Sequence, residues 1–301
     1  FHVLEMLKNE YVKETTYLWL LHSETVSLFS AYLDKYDVIS HLFEFKNPTQ
    51  KIAYRLLNPC YPFEKNLKKS KKVICCEYNR AHITKSIYDL DKVPYILPNK
   101  PYNGNVQIAQ SLPFSIQEII SKYRNKKIIL YQGVFIPERR VDYFVRAVNS
   151  LPDDYILFLM GGENPFYNEL RDKCQSERIV FLPFLPPPLH LEITKLAHIG
   201  ILVYVVDGEP INRAINVLYC APNKLYEYSM FGIPMISNNL PALNFIFSKF
   251  EAGICTDILL EKNVCEAILE IDRNYESYSK ASVQLYNSVD MLDIVKGILR
   301  E

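Results

Sequence analysis

The sequence has no net charge, no long hydrophobic run and no metal-binding cysteine pattern. Lys and Arg number 34 against 34 Asp and Glu, which excludes a histone-like basic protein. The longest clean apolar runs, residues 155–160 and 199–206, fall far short of the roughly 20 residues that a membrane helix needs. No secretory leader is visible, although the chain opens on Phe1 and reads as starting mid-domain. The cysteines, Cys60, Cys75, Cys76, Cys174, Cys220, Cys255 and Cys265, are odd in number and show no CxxC or Cys/His ligand spacing. They read as buried, reduced thiols of a cytoplasmic protein. GxGxxG and GxxxxGK[ST] are both missing, which argues against a nicotinamide dehydrogenase and a P-loop NTPase. No Ser-His-Asp order, HExxH, EF-hand loop, internal repeat or low-complexity tract stands out.

What is present is ordinary globular material: 301 residues, 49% hydrophobic and 23% charged. That length suggests two domains and excludes neither a sizeable core nor two; the composition excludes a disordered chain and a coiled-coil rod. Short apolar runs recur at 17–21, 37–40, 73–76, 95–97, 127–132, 155–160, 179–182, 199–204, 234–237 and 253–255. They are apolar on both faces and separated by helix-length stretches. This is the pattern of an α/β protein with parallel sheets covered on both sides. Turn and breaker residues at Pro98, Pro101, Gly104 and Pro113 mark a boundary. We therefore expect a first Rossmann-like domain over 1–110, a linker over 111–126, a second domain over 127–288 and a closing helix over 289–301. Ligands of such sheets bind beyond the carboxyl ends of the strands.

Zero net charge hides an asymmetry. Residues 1–126 hold 18 Lys+Arg against 12 Asp+Glu, and residues 127–301 hold 16 against 22. The basic excess peaks at Lys65, Lys68, Lys69, Lys71 and Lys72. It reads either as a solvated helix end or as peripheral contact with an anionic membrane surface or a phosphorylated acceptor. No aromatic-interleaved basic stretch supports nucleic-acid binding.

The most informative stretch is Ala221-Pro-Asn-Lys-Leu-Tyr-Glu-Tyr-Ser-Met-Phe-Gly-Ile-Pro-Met-Ile-Ser237. Pro222 or Asn223 starts a helix, Gly232 ends it in a left-handed turn, and Pro234 leads into the next strand. The helix start holds unsatisfied N–H groups and a partial positive charge. Lys224 in that first turn is unfavourable unless an anion shares the site, which suggests a phosphate. Glu227 lies on the same helix face and reads either as a surface partner of Lys224 or as an acceptor for a ribose diol.

This segment resembles the nucleotide-sugar site of the retaining family-4 glycosyltransferases, in particular those with a P-N-K-L-[FY]-E-Y helix followed by G-[IV]-P. Tyr131-Gln-Gly-Val-Phe-Ile-Pro-Glu-Arg-Arg-Val-Asp142 resembles that family's first donor-domain strand and loop. Met160-Gly-Gly-Glu163 resembles its second strand and glycine turn, and Arg178-Ile-Val-Phe-Leu-Pro-Phe-Leu-Pro186 its third strand and the loop beside the base. The likeness spans residues 127–301; before that it is carried by Glu77-Tyr-Asn-Arg-Ala81 and Leu97-Pro-Asn-Lys100.

The resemblance implies the GT-B fold of two facing Rossmann-like domains with parallel sheets, the N-terminal one incomplete here. It also implies transfer of a sugar from a nucleoside-diphosphate donor, with retention, to a lipid-linked or polysaccharide acceptor in the cytoplasm, without a metal cofactor. His41, Arg139 and Lys224 are the expected catalytic residues. Gly133, Arg139, Gly162, Phe184, Asn223, Lys224, Leu225 and Glu227 are expected to bind the donor. Arg140 could substitute for Arg139. His22 and His41 are read as lying just beyond strands, with Glu44 in reach of His41, whereas His82, His190 and His198 read as structural or exposed. The sequence departs from the family at Val134, where many members have arginine, and at Tyr219, where many have glutamate; Asn216 or the amides at 222–224 could compensate. These departures keep open a non-catalytic partner subunit as an alternative, and a nucleotide-sugar epimerase of the same fold as another.

Overall fold

The computed structural model describes residues 9–46, 63–103, 106–108, 110–174, 176–206, 208, 210–257 and 259–300, apart from the side chains of Ala31 and Asn212. Cys60 and Gly104 lie outside the described residues. The chain divides into two compact units: unit 1 is Phe1–Pro98, Pro210–Asn216 and Leu292–Glu301, and unit 2 is Asn99–Glu209 and Val217–Met291.

Unit 1 holds strands β1 (Leu18–Leu21), β2 (Val38–Leu42), β3 (Lys72–Cys75) and β4 (Tyr95–Ile96), all parallel and in that order. Parallel neighbours need crossovers, and helices α1 (Ser23–Leu28), α2 (Phe63–Lys69) and α3 (Tyr78–Tyr88) lie between them in sequence. Val26, Leu67, Ala81 and Tyr88 from these helices bury against Val38 and Cys75 of the sheet. Glu77 caps α3, its carboxylate accepting from the Arg80 amide at 2.8 Å. Asn216 also belongs to this unit. Its side-chain amide accepts from the Phe45 N–H at 2.7 Å and donates to the Phe45 carbonyl at 2.9 Å. That engagement corrects the expectation that Asn216 is spare to contact a sugar.

Unit 2 holds β5 (Lys127–Gln132), β6 (Tyr155–Met160), β7 (Ile179–Leu182), β8 (Ile199–Leu202), β9 (Met235–Asn238) and β10 (Gly253–Thr256), in the order β10-β9-β8-β5-β6-β7 and all parallel. Winding reverses between β5 and β8, a topological switch point where open α/β sheets bind ligands. Alternate residues feed two cores. Ile128, Leu130, Ile156 and Phe158 enter one; Ile129, Tyr131, Leu157 and Leu159 enter the other. This period of two, apolar in both phases, is why the strands read as continuous hydrophobic runs. The helices in chain order are α4 (Phe114–Lys122), α5 (Val141–Ser150), α6 (Pro165–Lys173), α7 (Leu191–Thr194), α8 (Ile211–Leu218), α9 (Asn223–Met230), α10 (Pro241–Phe250), α11 (Glu261–Arg273), α12 (Tyr275–Asn287) and α13 (Met291–Arg300). Residues of α8 up to Asn216 and of α13 from Leu292 group with unit 1.

All ten expected strands are present, with ends displaced by no more than two residues. One displacement matters: β2 runs on to Leu42, so His41 lies within the strand and not beyond it. The basic cluster is largely paired. Lys68 meets Asp89 at 2.9 Å, Lys71 meets Asp37 at 2.9 Å, and Lys69 meets Asp34. Lys72 is buried and donates to the carbonyl of Ile298. The lysines thus read mainly as a solvated, ion-paired helix end, and such exposed pairs add little stability. No helix among the described residues is long and apolar enough to cross a membrane.

Candidate functional site

Helix α9 is positioned by local chemistry that its sequence displays. Pro222 is its extended N-cap, and Gly232, at φ 66°, accommodates the left-handed turn that ends it. The Ile233 amide returns to the Tyr228 carbonyl, closing the cap. Tyr228 then fixes the helix to the sheet. Its hydroxyl donates to the Leu130 carbonyl at 3.0 Å, and its ring lies against Gly200 of β8, where a Cβ would come within 2.5 Å of the ring. Gly200 is therefore what lets α9 sit this close to the strands.

The first turn of α9 thereby lines a cavity of about 660 Å³ within unit 2, inside the size range of small-molecule sites. The remaining walls come from strand ends. Gln132 ends β5, Met160 ends β6, and Gly133, Gly162, Phe184 and Tyr204 follow in the loops. Gly133 has φ 142° and donates its amide to the Met160 carbonyl at 3.0 Å. A Cβ there would meet the Lys224 ammonium at 3.3 Å. At Gly161 a Cβ would fall 2.1 Å from the Gly133 carbonyl oxygen and 2.7 Å from the Phe135 ring. Gly161 thus leaves room for the Gly133 backbone, and Gly133 leaves room for Lys224. Gly162 has open space where a Cβ would go, so it lines the cavity without being sterically required.

Two cations face this space. The Arg139 guanidinium lies 4.1 Å from the centroid of the Tyr204 ring. The Lys224 ammonium lies 4.8 Å from the Tyr131 centroid and 5.3 Å from that of Tyr204. Ring faces attract cations, but they compensate poorly for lost water. Burial accordingly pushes the Lys224 pKa down to about 7, helped by the charge of Arg139 and opposed by Glu227. Among the described residues no ion pair forms between Lys224 and Glu227. The carboxylate of Glu227 instead accepts from the Gln132 amide at 2.7 Å and faces His190 Nε2 at 3.2 Å. The Thr194 hydroxyl donates to Gln132 Oε1 at 2.8 Å, completing the chain. Arg139, Lys224 and the α9 amides can receive an anion, while Glu227 can accept from a ligand's hydroxyl groups.

Of the residues expected to bind a donor, Gly133, Arg139, Gly162, Phe184, Asn223, Lys224 and Glu227 line this one cavity. Phe184 is 63% exposed at its rim. Leu225 does not line it; its side chain is buried in the core, because it sits on the face of α9 turned to the sheet. Arg140 turns away, lying over the Tyr143 ring and beside Asp142, so it does not duplicate Arg139. Val134 is exposed and lines the cavity; Tyr219 does not. His41 belongs to unit 1. Its ring stacks on Phe43 with centroids 4.4 Å apart, and its Nε2 lies 3.7 Å from the Cys76 sulfur. Burial, with the nearby charge of His22, lowers its pKa to about 4. His190 reverses its sequence reading, since it faces the cavity and holds Glu227. The signal available was its spacing from Thr194, one turn further on the same face, and Gln132 was signalled as the polar end of an otherwise apolar strand.

No protein-family model matches the chain, and no curated protein matches it by sequence. Solved structures do. HepE of Anabaena, in complex with UDP, aligns with a TM-score of 0.70 at 12% identity, over 99% of this chain and 80% of that one. Sucrose-phosphate synthase from Thermosynechococcus elongatus aligns at 0.67 and 12% identity, over 99% and 75%. WaaG, a glycosyltransferase involved in lipopolysaccharide biosynthesis, aligns at 0.62 and 13% identity, over 98% and 79%. At such identities the likeness establishes the fold. The chain has the GT-B fold, an α/β architecture with two parallel sheets.

Proposed function

We propose that the chain is a glycosyltransferase that binds a nucleoside-diphosphate sugar in the unit 2 cavity and passes the sugar to a lipid-linked or polysaccharide acceptor with retention. The observation that carries this reading is the meeting of Arg139, Lys224 and the start of α9 with the carboxylate of Glu227 in one cavity at the β5/β8 switch point. HepE, solved with UDP, UDP with glucose, and UDP-glucose, shows that the fold accommodates such donors.

In this mechanism the diphosphate lies against Arg139 and Lys224. Negative charge grows on it as the glycosidic bond breaks, and cations already fixed in a partly desolvated wall meet that charge with little reorganisation. Glu227 accepts from the ribose hydroxyls, and Phe184 provides a flat surface for the base. In this reading unit 1 recognises the acceptor and unit 2 the donor, the chemistry is cytoplasmic and no metal is required, as the resemblance implies. His41 belongs to unit 1, on the acceptor side, but it is buried among aromatic rings and carries no charge near pH 7, so the proposal gives it no step in the transfer.

Calorimetric titration with UDP, GDP, ADP and CDP tests the donor site. One diphosphate is expected to bind, and Lys224→Ala and Glu227→Ala each to weaken it by about tenfold or more. Equal indifference of the wild-type chain to all four would remove the proposal.

A further inference from the structure

Glu227 is held from two sides. Gln132 donates to one carboxylate oxygen at 2.7 Å, and His190 Nε2 approaches the other at 3.2 Å. The side chains of both His190 and Glu227 are only 10% exposed, yet both residues line the cavity. His190 Nδ1 is buried with no hydrogen-bond partner among the described residues, so the ring's polar contact here is the one to Glu227. The single O–H of Thr194 is shared between Gln132 Oε1 at 2.8 Å and the His190 carbonyl at 3.1 Å. Thr194 thus ties together the two residues that hold the carboxylate.

Each carboxylate oxygen offers two acceptor positions. With Gln132 hydrogen-bonded to one oxygen and the His190 ring 3.2 Å from the other, the plane of the group is fixed and acceptor positions remain on both oxygens. A planar carboxylate with a free position on each oxygen matches a vicinal diol. It can accept from both hydroxyls only while its rotation is prevented, since a site imposes geometry through groups that are themselves held.

Given a nucleotide in the cavity, as proposed above, we propose that His190 is a positioning residue that orients Glu227 so that the site selects the vicinal diol of the nucleotide's ribose.

The test compares binding of UDP and 2′,3′-dideoxy-UDP to the wild-type chain and to His190 variants, with GDP, ADP or CDP and the matching dideoxy compound used in their place if one of those is the diphosphate bound. A site built to hydrogen-bond a hydroxyl rejects the analogue that lacks it, so the wild-type chain is expected to prefer the ribonucleotide by about tenfold or more. His190→Ala is expected to reduce the preference to about threefold or less, with affinity for the dideoxy compound within about twofold of wild type. His190→Gln, which can present an amide donor at the same reach, is expected to keep the preference. His190→Phe keeps the bulk without the donor and is read as His190→Ala is. An unchanged preference in His190→Ala overturns the inference, as does an equal loss of both ligands or failure of both donor-less variants to fold, since each assigns His190 a structural role. Those outcomes leave the nucleotide reading standing; binding of no diphosphate by the wild-type chain overturns both.

Discussion

The strands of unit 2 and those of unit 1 are all parallel, but their carboxyl ends differ. In unit 2, β5 runs into Gly133 and β6 into Gly161 and Gly162, and a cavity lies beyond them. In unit 1, β1 runs into His22 and β2 into Phe43, and the rings of His22, Phe43 and His41 pack in series, with centroids 4.6 and 4.4 Å apart. Trp19 adds a further ring 6.2 Å from His41. A polar residue at a strand end therefore does not by itself make a ligand site. The turn that follows must leave room, and in unit 2 glycine provides it.

The largest expected effect comes from closing that room. Gly161→Ala places a carbon 2.1 Å from the Gly133 carbonyl oxygen, so the β5 and β6 turns must separate. We expect a stability loss of about 3 kcal/mol and loss of nucleotide binding. Gly162→Ala meets nothing within 4 Å and is expected to change stability by less than about 0.5 kcal/mol. Urea denaturation and nucleotide titration of the pair check this. Equal tolerance at the two positions would break the contrast between glycine that opens a site and glycine that merely lines it.

The second effect is chemical. Lys224 sits at a pKa of about 7, first because of burial and then because of Arg139. A bound diphosphate favours its charged form, so above pH 7 the complex must take up a proton that the free chain has released. Affinity is then expected to be flat below about pH 7 and to fall by up to about tenfold per unit above it. Titration calorimetry at pH 8 in buffers of different ionisation enthalpy should show uptake approaching one proton. Lys224→Arg, charged throughout this range, should flatten the profile. A wild-type profile already flat from pH 6 to 9 would place the ammonium elsewhere than against the ligand.

How much of this was legible in the sequence follows from the range of each signal. The ten strands could be read because both alternating phases of each are apolar, a local property. The ends of α9 could be read for the same reason, since Pro222, Gly232 and Pro234 act on their own backbone. The loops that line the cavity were legible only by resemblance. Partner choice was not legible. Nothing local in the α9 segment says that Glu227 turns to His190 and Gln132 in preference to Lys224, which is close in sequence, or that Asn216 spends its amide on the backbone of Phe45. His41 was misplaced by a shift of only two residues in the end of β2, and that shift takes its ring from the edge of the sheet into the aromatic series.

The smallest effect tests that series. The pKa of His41 is lowered from its ordinary value to about 4, first by burial and then by the charge of His22. The unfolded chain binds a proton at this histidine below about pH 6.5, whereas the native ring resists protonation until about pH 4. Between those limits the unfolded state holds more protons, so the contribution of His41 to stability is present above pH 6.5 and is lost progressively as pH falls to about 4. The loss is expected to be about 1 kcal/mol after solvent screening. His41→Phe keeps a ring against Phe43 and removes the titration. Its stability relative to wild type, followed by urea denaturation, should therefore improve as pH is lowered from 6.5 to 4, with the largest part of the change above pH 4. A constant difference across that range would mean that the native imidazole accepts a proton freely. His41 would then be reachable from solvent, and unit 1 would present an open strand end much as unit 2 does.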